Sequence, residues 1–435
     1  MDTIIIREYG AFCEGKTNGE KINGYVTLEK KTFSLLETFV LESNRDGKDE
    51  ALEIMGLSAR RGIGKIITVK NYVGVIALTD GTVIEILPKI YSDGDSEDDA
   101  RRLIVKMLNT LYNVSSKNLQ TANLDVHKMN ILEVFIRMFI DEVTRLTKQG
   151  LKSSYETLED NLVCFKGKIR FSQHIRHNFA HKERVYVAYD DFTVNRPENK
   201  LLKSTLAYLS SHTRLSKNKK DIKKLLNIFS EVDFSTNYDV DFSKVVHDRN
   251  TKAYSTALNW ARVFLKKKSF TSFSGSTVSM ALLFPMEKLF ESYIPALMRR
   301  CLADTDAVIS TQDARYHLIE GPTKRFSLRP DIVLSLNGKT YIMDTKWKRL
   351  SSDSNVHYGI SQGDMYQMYA YYHRYTSNNN EVDSVTLIYP ATPDMQDDIE
   401  LDTDNKSSKI CVRCIDMKND DESLKRLMQK SGILS

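Results

Sequence analysis

The chain has 435 residues, 41% of them hydrophobic and 27% charged, with a formal net charge of +5. That length exceeds what one core fills and implies two or three domains, the composition excludes a disordered chain, and the mild basic excess permits nucleic-acid contact without requiring it. No apolar run reaches the length of a membrane span, the N-terminus MDTIIIREYGAF lacks a signal-peptide core, and five scattered cysteines suit a reducing compartment, so a cytoplasmic protein is expected.

Residues 1–90 read as mostly β. Lys65–Leu78 and Thr82–Ile90 are rich in Ile, Val, Thr and Tyr, and Asp80-Gly81 between them is a hairpin turn signal. Asp93–Asp99 is an acidic, solvated stretch and a candidate linker. Residues 100–265 read as mostly helical. Leu103, Met107, Leu108 and Leu111 recur at helical spacing, as do Ile131, Val134, Phe135 and Met138. A short strand, Val185–Ala188, interrupts them, and the lysines of Lys217–Lys224 open a helix as a solvated face.

Lys266–Ser279 reads as a second boundary. Beyond it come a helix at about Pro285–Arg300, strands at Asp331–Leu336 and Lys339–Asp344, a helix at Met365–Tyr375, and strands at Val385–Tyr389 and Lys409–Ile415. That order suits a mixed sheet with helices on its faces. The expected whole is an α+β multidomain chain: a β-rich region at 1–95, a mostly helical one at 96–270, and an α/β/α domain at 275–435.

The chemistry is carried by Arg329–Lys346. Asn337-Gly338 between two β-rich runs is a type I′ hairpin signal, and a two-residue loop fixes the register. Leu336 then faces Lys339, Val333 faces Ile342, and Asp331 faces Asp344. Lys346, two residues beyond Asp344, shares their face. The neighbours Ile332, Val333, Leu334, Tyr341, Ile342 and Met343 are largely apolar, which predicts a hairpin covered on both sides. Two opposed, covered carboxylates are costly without a compensating charge. A divalent cation supplies one, and hard oxygen ligands favour Mg²⁺, with Mn²⁺ as a substitute. Such an ion polarises a scissile phosphate and helps generate hydroxide, while Lys346 positions the water or stabilises the transition state. The bland alternative is an exposed acid pair with a salt-bridging lysine.

Two helices add candidates. Met286, Leu289, Phe290 and Tyr293 form an apolar stripe, and Glu287 and Glu291 share a neighbouring face. One of these acids, Glu291 in the preferred assignment, completes the metal shell; otherwise both are solvated. In the later helix Met365, Met368, Tyr369 and Tyr372 read as core, while Gln367 and Tyr371 border the site and touch DNA, or serve helix packing. Lys348 is a further candidate DNA contact.

Together these residues resemble the PD-(D/E)xK nuclease superfamily: Pro330-Asp331 supplies the first half of its motif, Asp344-Thr345-Lys346 the second. Gln367 and Tyr371 match the QxxxY helix of its RecB-like branch. Within it the chain is similar to the McrC family, the nuclease subunits of McrBC- and LlaJI-type restriction systems, through Val83–Ile90, Lys166–Ile169, Asp190–Leu206 and Met286–Glu291. The resemblance runs from about residue 60 to the C-terminus. It implies a Mg²⁺-dependent, type IV-like endonuclease that cuts duplex DNA beside an AAA+ GTPase ring whose activity it stimulates. It also implies that the N-terminal β region docks into that ring, with Arg60 and Arg61 as candidate contacts. The nucleotide is expected to belong to the partner, because Ala59–Lys65 only superficially resembles a phosphate loop: Ala59 replaces its first glycine and Ile66 its Mg²⁺-binding hydroxyl. The alternatives are a stand-alone repair or recombination nuclease, or a non-enzymatic activator of an NTPase. Cys411-x-x-Cys414 is an isolated pair, and His174, His177 and His181 lack a completing ligand, so neither is expected to bind zinc.

Overall fold

A computed structural model of the chain describes residues 3–45, 54–89, 96–111, 130–245, 252–265, 272–273, 277–319, 325–377, 381–393, 395, 398–402 and 409–434. It is a mixed α+β structure that divides into two compact units, Met1–Ile131 with Phe273–Ser435, and Leu132–Ser272.

The first unit is built on three larger sheets. In one, the strands Lys21–Ile22, Tyr25–Glu29, Ala11–Gly15, Gly64–Val69 and Met55–Arg60 lie side by side in that order. The stretch once compared with a phosphate loop is here the tip of the antiparallel Met55–Arg60/Gly64–Val69 hairpin. A second sheet joins Thr3–Arg7, Val83–Leu87, Tyr72–Leu78 and Val278–Pro285. Its centre is Tyr72–Leu78, buried along its whole length, as a β-branched run between two neighbours should be. Its turn at Asp80-Gly81 forms as expected, with Gly81 at φ 90°.

The mostly β reading of this region misses the helix Lys30–Arg45. Phe33, Leu36, Phe39 and Val40 recur on one face of it and are buried in the core beneath these sheets. The acidic stretch also differs from expectation in its described part. Ser96 caps the helix Glu97–Leu111: its Oγ accepts from Asp99 N at 3.1 Å, while Asp99 Oδ2 accepts from Ser96 N and Oγ. The acids Glu97, Asp98 and Asp99 thus lie where the helix dipole favours them; residues 93–95 are outside the described residues. Arg101 of this helix forms a two-pronged ion pair with buried Glu85, both contacts at 2.8 Å.

The third sheet has the order Val308–Thr311, Ile332–Leu336, Lys339–Thr345, Glu381–Pro390, Lys409–Ile415, Ile399–Asp402. Asn337 and Gly338 both take positive φ, 51° and 80°, the type I′ turn. The register is the expected one, with Val333 opposite Ile342 and Leu336 opposite Lys339. Glu381–Pro390 runs parallel to Lys339–Thr345, and the helix Gln362–Thr376 makes the crossover. That helix covers one face of the sheet through Met368, Tyr371 and Tyr375. The helix Met286–Cys301 buries Met286, Leu289, Phe290 and Tyr293, and Phe290 meets Trp347, just past the end of Lys339–Thr345, edge to face.

The second unit contains the helices Pro197–His212, Ser216–Ile228, Tyr238–Lys244 and Ser255–Leu265 and a three-stranded antiparallel sheet, Lys168–Ile169, Val185–Thr193, Ser154–Leu162. The strand expected at Val185–Ala188 is longer, and its partner Ser154–Leu162 was not anticipated. This sheet and the helix Phe171–Asn178 leave Tyr155, Phe165, Phe171, Ile175, Phe179 and Phe192 exposed. Among the described residues no helix is long and apolar enough to cross a membrane.

Candidate active site

The hairpin register places its chemistry at its open end. Asp331 immediately precedes the strand Ile332–Leu336, and Asp344 is the last residue but one of the partner strand. Asp331 is fixed by Thr345, whose backbone N–H and Oγ donate to Asp331 Oδ2 at 2.8 and 2.7 Å. Lys346 leaves the strand and is anchored by its N–H on Ile388 O. Its ammonium sits 2.5 Å from Asp344 Oδ2 and donates to Gln367 Oε1 at 3.1 Å. The six apolar neighbours named from sequence are all buried. Asp344, at 1% exposure, is enclosed with them.

That enclosure governs the electrostatics. Burial, reinforced by the charge of Asp331, pushes the Asp344 carboxyl up to about 6 against the opposing pull of Lys346. Glu291 is likewise raised by burial and by Asp331. For Lys346 burial acts downward, but the charges of Asp344 and Asp331 outweigh it and raise the ammonium. Three acids therefore share one region at an electrostatic cost.

Glu291 reaches this region and Glu287 does not. Glu287 is exposed, whereas Glu291 Oε1 accepts from Gln312 Nε2 at 2.5 Å, and the same nitrogen donates to Asp331 Oδ1 at 2.7 Å. Lys288 pairs with the other oxygen of Glu291 at 3.2 Å. Gln312 has no counterpart among the residues picked out from sequence. An isolated glutamine at a strand end carries no motif, and its meaning comes from partners remote in the chain.

The residues proposed to meet DNA fall into distinct settings. Gln367 is half-buried, and its amide donates to Tyr371 Oη at 2.7 Å. Tyr371 is buried beneath it, 2% exposed, so its hydroxyl serves Gln367 rather than the surface. Lys348 pairs with Asp364 at 3.0 Å, leaving its ammonium at the rim. Of the four expected core residues Met368 is buried, Met365 and Tyr372 pack half-buried against the core, and Tyr369 is exposed, while Tyr371 and Tyr375 join the buried face. Arg60 and Arg61 are exposed at the hairpin tip in the first sheet, with Arg60 donating to Tyr25 Oη at 2.8 Å. Cys411 and Cys414 are both buried and form no disulfide. His177 stacks on Tyr186, and His181 pairs with Glu183.

The donor set of Asp331, Asp344 and Glu291 fits a hard divalent cation: all three offer carboxylate oxygens, and their mutual repulsion is what such a charge would relieve. Among the described residues no three acid, histidine or cysteine side chains already converge as a ready shell. N–H groups stand there instead, the Gln312 amide between Glu291 and Asp331, and the Lys346 ammonium against Asp344.

Three comparisons with known proteins bear on this arrangement. A family model described as McrBC 5-methylcytosine restriction system component matches residues 67–390. The Escherichia coli K12 type IV methyl-directed restriction enzyme EcoKMcrBC is 22% identical over 294 residues, covering 63% of this chain and 81% of that protein. The fold is similar to a chain in a half-complex from a tetradecameric assembly of Thermococcus gammatolerans McrB AAA+ hexamers with bound McrC. The TM-score is 0.67 at 17% identity, with 98% of this chain and 100% of the other covered. A cryo-EM structure of the McrBC complex from the same organism gives 0.53 at 19% identity, over 69% and 88% of the two chains.

Proposed function

We propose, for a chain that belongs to the McrBC family of 5-methylcytosine restriction system components, that it is the nuclease subunit of its system and hydrolyses phosphodiester bonds in duplex DNA. The observation that carries this reading is the Asp344–Lys346 ion pair at the open end of a buried hairpin, with Asp331 held beside it by Thr345. Asp331, Asp344 and Glu291 would hold a Mg²⁺ or Mn²⁺ ion. Bound there, the ion would polarise the scissile phosphate and favour hydroxide over water.

The chain's own residues do the rest. Lys346, kept charged by Asp344 and aimed by Gln367, stands where it can orient the attacking water or meet the charge that develops on phosphate oxygens. Thr345 holds Asp331 by two hydrogen bonds, so that carboxylate needs little reorganisation to serve as a ligand. The apolar cover encloses Asp344, which strengthens its ion pair with Lys346. Lys348, at the rim, would meet the DNA backbone.

The similar Thermococcus chain is bound to AAA+ hexamers, and a ring GTPase is the partner proposed here. Two surfaces compete for it. Arg60 and Arg61 lie on the β region that the sequence resemblance puts at the interface. The second unit exposes aromatic side chains, Tyr155 and Phe192 in contact among them, and protein partners commonly cover such groups. Charge reversal of both arginines and Phe171→Ser with Phe179→Ser, each assayed by ring pull-down, separates them.

The test of function is cleavage of methylated and unmethylated plasmid by the full chain, with and without its ring partner and GTP, in Mg²⁺ or EDTA. We expect Mg²⁺-dependent cutting that Asp344→Asn abolishes. Cutting by that variant at the parental rate would refute the site.

A further inference from the structure

We propose that Gln312 is a placeholder for the cation: its side-chain amide bridges Glu291 and Asp331 and is displaced when a divalent ion binds between them. This rests on the metal-dependent reading above and concerns what holds Glu291 and Asp331 in register with each other.

The argument starts from geometry. One amide nitrogen donates to Glu291 Oε1 at 2.5 Å and to Asp331 Oδ1 at 2.7 Å. An amide NH₂ has two hydrogens, and both are used, one on each carboxylate. The nitrogen therefore lies between the two oxygens, where a cation shared by them would have to sit. It is also the group that offsets part of their mutual repulsion. An amide carries only partial positive charge, so it can hold the acids in place yet yield to a full divalent charge.

The backbone is arranged for this. Gln312 adopts φ 52°, a conformation that residues with a side chain rarely take, and its N–H donates to Asp331 O at 3.1 Å. The next residue, Asp313, is buried and accepts from Tyr375 Oη at 3.1 Å and Arg315 Nε at 2.7 Å. These contacts overdetermine the strained turn and direct the Gln312 side chain across the gap. Gln312 itself is exposed, so its amide can swing into solvent once displaced.

The test is Mn²⁺ binding to the full chain, by calorimetry and by melting with and without the ion. The variants are Gln312→Ala, Gln312→Met (similar length, no donor) and Asp344→Asn as control. Removing a competitor should tighten Mn²⁺ binding about 3- to 10-fold in both Gln312 variants. Their metal-free melting points should fall below that of the parent, and the gap should close at saturating Mn²⁺. Unchanged binding in both would make Gln312 a bystander and overturn the proposal. Weaker binding would make it a ligand and overturn it equally, and tightening in the alanine variant alone would assign the effect to bulk. Should the parent bind no Mn²⁺, or Asp344→Asn bind it undiminished, the metal reading itself fails, whatever the Gln312 variants do.

Discussion

Glu8 accepts the indole N–H of Trp347 on both its carboxylate oxygens, at 2.9 and 3.2 Å, and the Lys89 N–H on one of them at 2.8 Å. The acid follows the first strand; the indole follows Lys346 of the candidate site and packs on Phe290, the neighbour of Glu291. Fully buried, Glu8 ties the N-terminal sheet to the back of the candidate site.

Burial pushes the Glu8 carboxyl up to about 7, against the hydrogen bonds from Trp347 and Lys89. The folded chain therefore keeps a proton that the unfolded chain releases near its ordinary value of 4.5. Stability from this group is complete below that value and is lost as pH rises through about 7. The loss is on the order of 3 kcal/mol. Urea unfolding between pH 5 and 8 should show it, and Glu8→Gln should flatten the profile while keeping an acceptor. Glu8→Ala strands two buried donors and should cost about 2–4 kcal/mol near pH 5, a cost that shrinks as pH rises through 7 because the variant escapes the parent's own loss. An unaltered pH profile in Glu8→Gln would place the titration elsewhere.

Asp344 has two opposite effects. Its carboxyl is pushed up to about 6, so protons compete with a metal ion below that pH, and Mg²⁺ binding and cleavage should both decline as pH falls through it. The same shift means the charged carboxylate costs the metal-free fold stability at higher pH. Asp344→Asn should therefore lose cleavage by on the order of a thousandfold, yet melt at or above the parent in EDTA at pH 8. A variant that melts well below the parent would show that the ion pair with Lys346 outweighs the burial cost.

How much of this was legible follows from distance along the chain. Asn337-Gly338 dictates its turn locally, so register, face and the Asp331/Asp344/Lys346 grouping could all be read from a few consecutive residues. The helix Lys30–Arg45 was also legible, through Phe33, Leu36, Phe39 and Val40, but the β-rich runs around it set the reading. Ser154–Leu162 was not: most of its side chains face solvent, so no apolar alternation marks it. Gln312 was least legible of all, since its role depends on Glu291 and Asp331, 21 and 19 residues away.

The pairing of Tyr72–Leu78 with Val278–Pro285 is likewise invisible locally, and it turns on Gly74. That residue has φ 139°, and a Cβ there would lie 1.9 Å from Leu282 O. Gly74→Ala should cost more than about 3 kcal/mol or abolish folding, by strain and by collision with backbone. Gly338→Ala is the contrast: φ is 80°, but nothing lies within 4 Å. It should cost only about 1–2 kcal/mol, the left-handed penalty alone. Chemical denaturation of both variants checks the difference; equal losses would mean that the close approach to Leu282 is not what Gly74 permits.

Lys346 is aimed through a relay: Gln367 Oε1 accepts from its ammonium at 3.1 Å, and Gln367 Nε2 donates to Tyr371 Oη at 2.7 Å. The tyrosine hydroxyl thus fixes which end of the amide faces the lysine. Tyr371→Phe frees the amide to rotate without opening a cavity, while the Asp344 pair still holds Lys346 nearby. Cleavage should fall about 3- to 10-fold, in kcat, with DNA affinity unchanged, because a mispositioned group loses transition-state contacts and not ground-state binding. Gln367→Ala should lose at least as much, and adding Tyr371→Phe to it should lose little more, since both changes break one chain. Weaker DNA binding in Tyr371→Phe, with kcat unchanged, would instead return the tyrosine to the DNA-contact role expected from sequence.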